Sequence, residues 1–596
     1  MLFQVYINNR EYTSWEFKNI HNQDIIDSEE FPILKTVNPL YSKLFSRDII
    51  SFDENNVLIV ENSVLKNMNY IAGVLILEGN KTYGRTKNNR LLYKCIPNDK
   101  YLPSFLVPYD MKIGFSKKNI NKYVVFKHEQ WNDKHPRGII VNVLGDVNNL
   151  EVFYEYQLYC KSLHISLTEF TSSTRRGLNA VPHNELIQQI MNNKQYGIED
   201  RRDRRVITID PHNSTDFDDA FGIETYCKDG IQIGWTISVY IANVFLWLET
   251  LELWNTFSHR VSTIYLPDRK RPMLPTILSD TLCSLQENQN RFAFVMDVPV
   301  TLHGKIDMNR DINYKNALIS VYKNYRYEEN SLLYKEPIYT KLYDITFLMD
   351  TRVINSHDIV AHWMVFMNAV IGIKMLKDKI GIFRSVVANN DNNLSLDKYK
   401  LSTETKRVVV NWNNISGHYI HYSDNAIIDH QLLNINSTSY LANYTKNQDI
   451  IPYIHVTSPI RRIVDLLNQI IIFKHYSFTN KISSKAEIFL SEWICKLEYI
   501  NVSMRSIKKL QTDCMLLYNC LTHDNYLNKT HIGIVFDKVK RNNGSFNYTV
   551  YLEDLKIISR ITTHYELNNY STSQFRLFIF ESEDNIKKKV RLHIIE

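Results

Sequence analysis

Val206-Ile-Thr-Ile-Asp210-Pro211-His-Asn-Ser-Thr-Asp216-Phe217-Asp218-Asp219-Ala220-Phe221 places four aspartates within ten residues, directly behind a short apolar run. Carboxylates this close repel one another unless cations or hydrogen bonds compensate, so a solvated acidic loop explains the pattern poorly. Val206, Ile207 and Ile209 read as a strand entering a core, Pro211 ends its pairing, and Phe217 sits inside the acidic run. The acids are thus anchored to a hydrophobic scaffold. Carboxylates held about 4 Å apart can bind a pair of magnesium ions and support in-line phosphoryl displacement. A calcium EF-hand loop needs Gly at its sixth position, where this run has Thr215. No Gly-x-Ser-x-Gly or supported Cys-His pair offers an acyl-transfer nucleophile. Asp210, Asp216, Asp218 and Asp219 are therefore the candidate metal site, Mg²⁺ is the expected cofactor with one or two ions, and phosphodiester hydrolysis is the expected reaction class.

A second constellation is His455-Val-Thr-Ser458-Pro459-Ile460-Arg461-Arg462-Ile463-Val464-Asp465-Leu466-Leu467. Ser458 as N-cap and Pro459 at the first helical position predict a helix over 459–476, with Ile460, Ile463, Val464 and Leu467 on one apolar face. Two arginines then fall in a first turn whose free N–H groups already make it positive. An anion sharing the site resolves the conflict. Arg461 is the residue expected to meet a phosphate, and Arg462 can pair with Asp465.

The wider composition is consistent with a nucleic-acid partner without demanding one. With 596 residues and 44% hydrophobic content, the chain can bury several cores, which predicts three or four domains. A net charge of +6, from 70 basic and 64 acidic residues, is mild. Thirty-seven tyrosines and eight tryptophans interleaved with Lys and Arg suit single-stranded nucleic acid, although cores also consume aromatics. Seven scattered cysteines without a Cys-x-x-Cys pair point to a reducing compartment, and Cys514, Cys520 and His523 lack the second ligand pair of a structural zinc site. The N-terminus lacks the order of a signal peptide, and the most apolar helix candidate, 363–373, is too short to span a bilayer. A soluble, cytoplasmic, monomeric protein with no membrane association is expected.

Along the chain, residues 1–65 read as a β-rich segment. Short strands such as Ile71-Ala-Gly-Val-Leu-Ile-Leu77 and Tyr123-Val-Val-Phe126 predict two small OB-type barrels, over 66–120 and 121–170. Tyr83 with Arg85, Lys117 and Lys118 near Tyr123, and Trp131 near Lys134 and Arg137 suit a nucleic-acid-binding barrel face; barrel core and solvated rim are the alternative. A helical connector over 171–205 ends in a charged run, Glu199-Asp-Arg-Arg-Asp-Arg-Arg205, readable as a solvated linker or a phosphate-facing edge. The domain over 206–525 has strands first, then helices predicted at 341–353, 358–377, 459–476 and 485–520, so its class is α+β. Asn542-Asn543-Gly544 between alternating strands predicts a hairpin in a third small barrel over 528–596.

Thr208-Ile-Asp210-Pro211 with Asp216, Asp218 and Asp219-Ala220, together with Thr457-Ser-Pro-Ile-Arg-Arg462, resembles the catalytic RNB domain of the ribonuclease II / ribonuclease R family. Tyr265-Leu-Pro-Asp-Arg-Lys-Arg-Pro-Met-Leu-Pro275, then Leu282-Cys-Ser-Leu285 and Arg291, resemble that family's next blocks in the same order. Trp131-x4-Pro136-x-Gly138 with Leu144-Gly145 is similar to a second cold-shock barrel, and 531–596 to a C-terminal RNA-binding OB barrel. The resemblance implies a multidomain α+β protein in which OB-type barrels flank an RNB catalytic domain. It implies a processive 3′→5′ exoribonuclease that degrades single-stranded RNA to nucleoside 5′-monophosphates with Mg²⁺, or Mn²⁺ in its place. By the same resemblance Asp210, Asp216 and Asp219 bind metal and Asp218 is the carboxylate most directly required. Arg461 stabilises the pentavalent phosphate, Tyr265 stacks on the 3′-terminal base, and Tyr327 contacts substrate; Arg462, Tyr83 and Trp131 complete the RNA-binding candidates.

Three positions depart from the family pattern. Tyr240-Ile-Ala-Asn243-Val stands where the family has His-Ile-Ala-Asp-Val, His362 stands where a glutamate precedes Trp363, and Gln511 replaces another glutamate. They leave open an alternative, a catalytically weakened RNA-binding or regulatory protein on an RNB scaffold. The 65 N-terminal residues are too short for the separate endonuclease domain of some members.

Overall fold

The computed structural model describes residues 2–26, 30–111, 119–385, 396–414, 418–423, 452–476, 482–584 and 586–595. They form two compact units, one built from 1–164, 266–268 and 509–596, the other from 165–265 and 269–508. The class is α+β, as expected, with an OB-like barrel in the first unit and a sheet-rich catalytic-type region in the second.

In the first unit the N-terminal segment is a four-stranded antiparallel sheet, ordered Trp15–Asn19, Phe3–Ile7, Ile49–Phe52, Leu58–Asn62. Phe3, Val5 and Ile7 alternate inward along one strand and share a core with the neighbouring barrel. That barrel corrects the sequence reading. Instead of two barrels over 66–120 and 121–170, one closed barrel is made by Ile71–Leu75, Leu92–Pro97, Phe105–Pro108, Lys122–Gln130 and Arg137–Asp146. Closure depends on Ile71–Leu75 pairing with Lys122–Gln130, so the strands before 120 have no closing partner of their own. The remainder to 164 is led by a helix, Leu150–Cys160, whose N-cap Asn149 accepts from the N–H groups of Glu151 and Val152. Lys117 and Lys118 lie outside the described residues.

Trp131, expected on an RNA-binding face, is instead core. It is 7% exposed and packs on Phe45 at 4.8 Å between ring centroids and edge-on to Tyr12 at 6.0 Å. The partners come from the N-terminal segment, which is why local sequence around Trp131 does not reveal its burial. Tyr83 remains partly exposed, with the Lys81 ammonium 5.4 Å from its ring. The C-terminal part is a five-stranded antiparallel sheet, with Phe546–Leu552 and then Ile557–Thr563 on one side of His531–Lys540, and Thr572–Glu581 and then Lys588–Ile595 on the other. Its connectivity is that of the closed barrel, but no ladder joins Ile557–Thr563 to Lys588–Ile595, so it is an open version of the expected barrel. The Asn-Asn-Gly hairpin is present, with Gly544 at φ 79 where side-chain-bearing residues are strained.

The second unit is organised on a six-stranded mixed sheet, ordered Ile198–Asp200, Asn313–Arg326, Val206–Asp210, Asp219–Lys228, Ile231–Ala242, Asn290–Thr301, the last also pairing with Asn313–Arg326. Val206–Asp210 is buried throughout and runs parallel to Asn313–Arg326, which accounts for Val206, Ile207 and Ile209 on both of its faces. The charged run begins in the edge strand Ile198–Asp200 and is anchored by ion pairs. Arg201 is buried against Glu199 and Asp297, and Arg205 pairs with Glu336.

Helix boundaries shift for identifiable reasons. The helix expected at 341–353 is Pro337–Met349, started by Pro337 and capped by the Glu336 side chain. The span 485–520 is two helices, Ser484–Cys495 and Leu497–Thr522, and 459–476 is Ile463–His475. Ser356–Lys377, expected at 358–377, is long and apolar enough to cross a membrane, so the length argument made for 363–373 does not hold. Burial replaces it: Ile359, Trp363, Phe366, Met367 and Val370 lie in the unit's core. Gly372 lets the next segment lie close, since a Cβ there would be 2.7 Å from the Pro452 carbonyl oxygen.

Candidate active site

Asp210 ends a buried strand, Asp219 begins the next, and the loop between them is pinned from below by the Leu282-Cys-Ser-Leu285 block. Ser284 Oγ accepts from the Phe217 N–H at 3.0 Å and donates to the Thr215 carbonyl at 3.0 Å, and the Leu285 N–H donates to the Phe217 carbonyl at 3.0 Å. Phe217 is buried, as its place among the acids suggested. Tyr327 is tied in by its N–H, which donates to the Asp210 carbonyl at 3.0 Å, and its ring tilts against His357 at 5.2 Å.

The arginine turn reaches the same place from far along the chain. Asn368, on the buried helix Ser356–Lys377, accepts from the Val456 N–H at 3.0 Å and donates to the Tyr453 hydroxyl at 3.1 Å, which seats the segment leading to Arg461. Residues 261–263 and 461–463 then pair by main chain: Thr263 N–H donates to the Arg461 carbonyl at 3.0 Å and Ile463 N–H to the Val261 carbonyl at 2.9 Å. The helix begins at Ile463, not at 459. A turn does start at Ser458, whose carbonyl accepts from the Arg461 and Arg462 N–H groups, but Arg462 is extended (φ -138, ψ 127) and bridges to Ser262, which delays the helix; Ser458 N–H donates to Asp465 at 2.8 Å and Ile460 N–H to Asp218 at 3.0 Å. Arg462 is the N-cap residue and pairs with Asp465 at 2.8 Å, the pairing its spacing allowed.

Each aspartate has a different environment. Asp218 is 2% exposed; its Oδ1 accepts from the Ile460 N–H and its Oδ2 from Arg461 Nε at 2.9 Å. Burial pushes its carboxyl up to about 7, against the lowering effect of the Arg461 guanidinium. Arg461 also donates to Ser458 Oγ at 3.1 Å, while 44% of its side chain stays exposed. Asp210 and Asp219 are buried and each keeps one oxygen, Oδ2, without a protein partner. Both carboxyls are raised by burial, and for Asp210 the negative charge of Asp219 adds to the effect. Asp216 is engaged on both oxygens, accepting from Lys270 Nζ at 2.8 Å and from the Tyr265 hydroxyl at 3.2 Å.

The four aspartates thus differ in their surroundings. Among the described residues no three Asp, Glu, His or Cys side chains converge as a metal shell. Asp216 and Asp218 are spoken for by cationic side chains. The pair Asp210 and Asp219 fits a divalent ion: two hard oxygen donors, buried, mutually repelling and each with an unpaired oxygen. Asp210 and Asp219 are thus the residues that could hold a divalent ion.

Tyr265 is 39% exposed, and burial of its hydroxyl end with Asp216 nearby raises its phenol. Tyr327 is partly buried, its phenol raised by burial and by the Asp219 and Asp210 charges. The departures from the family pattern have structural explanations in part. Asn243 caps the helix Val244–Thr250, accepting from the Leu246 N–H at 3.2 Å, and donates to Asn316 at 3.1 Å. His362 is buried, and burial pushes its imidazole down to about 4. Two contributors escaped the sequence reading. Lys270 lay unremarked inside a quoted block, and Asn368 carried no signal beyond helical spacing.

The fold and site define a class first: a multidomain α+β protein with an OB-like barrel and a buried carboxylate centre opposed by arginine. The family follows from comparison. Residues 198–346 match the RNB domain. DIS3-like exonuclease 2 of Schizosaccharomyces pombe is 27% identical over 250 residues, covering 39% of this chain and 26% of that protein. Exoribonuclease 2 of Glaesserella parasuis is 34% identical over 131 residues, covering 21% of this chain and 20% of that protein. The chain thus aligns with about a quarter or less of the length of these curated relatives. Among solved structures, Mycoplasma genitalium RNase R in complex with ribose-methylated single-stranded RNA shares the fold, at a TM-score of 0.64 and 14% identity over the whole of both chains. Residues 198–346 are thus similar to the RNB domain, and parts of the chain are similar to proteins named exoribonuclease 2 and DIS3-like exonuclease 2.

Proposed function

We propose that the protein is a metal-dependent exoribonuclease that shortens single-stranded RNA processively from its 3′ end and releases nucleoside 5′-monophosphates. The observation that carries this reading is the pair of unpartnered buried oxygens on Asp210 and Asp219, set in the same acidic run as the Asp218–Arg461 ion pair. Asp210 and Asp219 would hold the divalent ion, which when bound supplies charge compensation and polarises the phosphoryl oxygens. Arg461, with nearly half its side chain in solvent, is placed to meet a phosphate. Exchange of that guanidinium from Asp218 Oδ2 to the phosphate leaves a carboxylate oxygen free to take a proton from the attacking water. The exposed Tyr265 ring offers a stacking face to the terminal base, with Tyr327 beside the paired carboxylates. The RNA bound to a relative of the same fold supports RNA as the ligand. Seven free thiols support a reducing, cytoplasmic setting, and a monomer is the simplest assembly.

A second reading, an RNA-binding protein without turnover, draws on one observation: Asn243 is committed to capping a helix. One assay separates the two. The parent protein incubated with end-labelled single-stranded RNA and Mg²⁺ releases mononucleotides, whereas Asp218→Asn binds the strand and releases none. Undiminished shortening by Asp218→Asn removes the assignment of Asp218, and absence of mononucleotides from the parent selects the second reading.

A further inference from the structure

Lys270 occupies a place that the acidic loop alone would leave to a cation. It sits on a two-residue strand, Lys270–Arg271, paired antiparallel with Ile264–Tyr265, so that Tyr265 and Lys270 are direct cross-strand partners. Both side chains run to the same carboxylate. Lys270 Nζ donates to Asp216 Oδ1 at 2.8 Å, to Asp280 Oδ1 at 2.9 Å and to Thr215 Oγ1 at 2.5 Å. The Tyr265 hydroxyl takes Asp216 Oδ2 at 3.2 Å. Asp280 is held in turn by Ser279 Oγ at 2.6 Å on Oδ1 and by Thr215 Oγ1 at 3.3 Å on Oδ2. Three oxygens around one ammonium, two of them from carboxylates, are the donor set a second hard cation would use. The contrast with Asp210 and Asp219, whose Oδ2 atoms have no partner, divides the aspartates into one pair lacking a cation and one pair supplied with it.

We propose that Lys270 is a built-in cation standing in place of a second divalent ion, so that this centre takes one ion, at Asp210 and Asp219, while Asp216 positions Tyr265 instead of binding metal. The inference rests on the metal-dependent reading above and narrows it. Two consequences follow from the geometry. Asp216 transmits the position of the Lys270 ammonium to the Tyr265 ring through its two oxygens. Removal of the ammonium exposes Asp216, Asp280 and Thr215 oxygens to solvent cations, which creates a second seat instead of abolishing the first.

The test counts ions without using turnover. Metal-free full-length protein is titrated with Mn²⁺, free Mn²⁺ is followed by electron paramagnetic resonance, and near-UV circular dichroism checks the fold of each variant. The parent and Lys270→Arg take up one Mn²⁺ per chain, Lys270→Met and Lys270→Gln take up two, and Asp219→Asn takes up none. Two ions in the parent, or a single ion in a folded Lys270→Met or Lys270→Gln protein, overturn the inference while leaving the metal-dependent reading intact. No ion bound by the parent overturns that reading, and the inference with it.

Discussion

Glu336 is a buried carboxylate that ties a strand and a helix to the start of the strand carrying Asp210, and removing it has a calculable effect. Its side chain is fully inaccessible, yet it accepts four hydrogen bonds: Arg205 Nε at 3.0 Å, Arg205 Nη2 at 2.9 Å, the Tyr325 hydroxyl at 2.7 Å and the Ile338 N–H at 3.2 Å. Arg205 directly precedes Val206–Asp210, Tyr325 lies opposite Ile209 in the parallel ladder, and Ile338 opens the helix Pro337–Met349. In Glu336→Ala the helix loses its cap, about 1 kcal/mol. The Tyr325 hydroxyl is left buried without that acceptor, about 1–3 kcal/mol. Arg205 is 43% exposed and turns to water, so its loss contributes only about 0–1 kcal/mol. The sum is about 2–5 kcal/mol, which for a unit of this size corresponds to a fall in Tm of roughly 3–7 °C. Glu336→Gln keeps a cap acceptor and loses less. Burial pushes the Glu336 carboxyl up, but the hydrogen bonds from Arg205 and Tyr325 outweigh it and hold the group below the ordinary range. A depressed folded-state carboxyl stabilises fully above about pH 4.3 and loses its contribution as pH falls through the folded value, so parent and variant converge in acid. Urea unfolding followed by tryptophan fluorescence measures the difference at pH 7 and again in acid. A Glu336→Ala protein within 0.5 kcal/mol of the parent at neutral pH, where roughly 2 kcal/mol is the least expected, refutes the reasoning.

Three further outcomes are expected. Asp219→Asn removes one of two repelling buried carboxylates, so in EDTA it is more stable than the parent by on the order of 1 kcal/mol, and Mg²⁺ no longer raises its Tm; scanning fluorimetry with and without Mg²⁺ checks both, and lower stability in EDTA contradicts the account. Trp131→Ala empties a packed aromatic site and destabilises the first unit by about 3–5 kcal/mol; an unchanged unfolding midpoint would return Trp131 to the surface. Tyr83→Ala leaves that midpoint in place and weakens binding of single-stranded RNA by about 1–3 kcal/mol, as for one stacked base; equal affinity in a filter-binding titration removes Tyr83 from the RNA face.

Local pattern carried the parts of the molecule that are settled locally. The run Val206–Asp210 was legible because a strand buried on both faces carries apolar residues on both, and Ile231–Ala242 because the sheet period shows in its sequence. Barrel closure was not legible, since the pairing of Ile71 with Phe126 is a long-range choice that alternation within either strand does not encode. The start of Ile463–His475 was misplaced because Arg462 is held extended in a bridge to Ser262, a partner from far earlier in the chain. At the site, residue types identified which side chains carry the chemistry. They did not reveal the division of the four aspartates, which depends on where Lys270 and Arg461 arrive.

The ladder between 261–263 and 461–463 has a bearing on how RNA would be cut. Tyr265 lies two residues beyond Thr263, whose N–H donates to the Arg461 carbonyl, so the main chains that carry the ring and the guanidinium are tied at that point. On the proposed reading these two groups meet a base and a phosphate of one strand, and the ladder acts as a gauge. Side-chain changes at either residue alter how fast a nucleotide leaves; only an inserted or deleted residue between Thr263 and Tyr265 alters the length of what leaves.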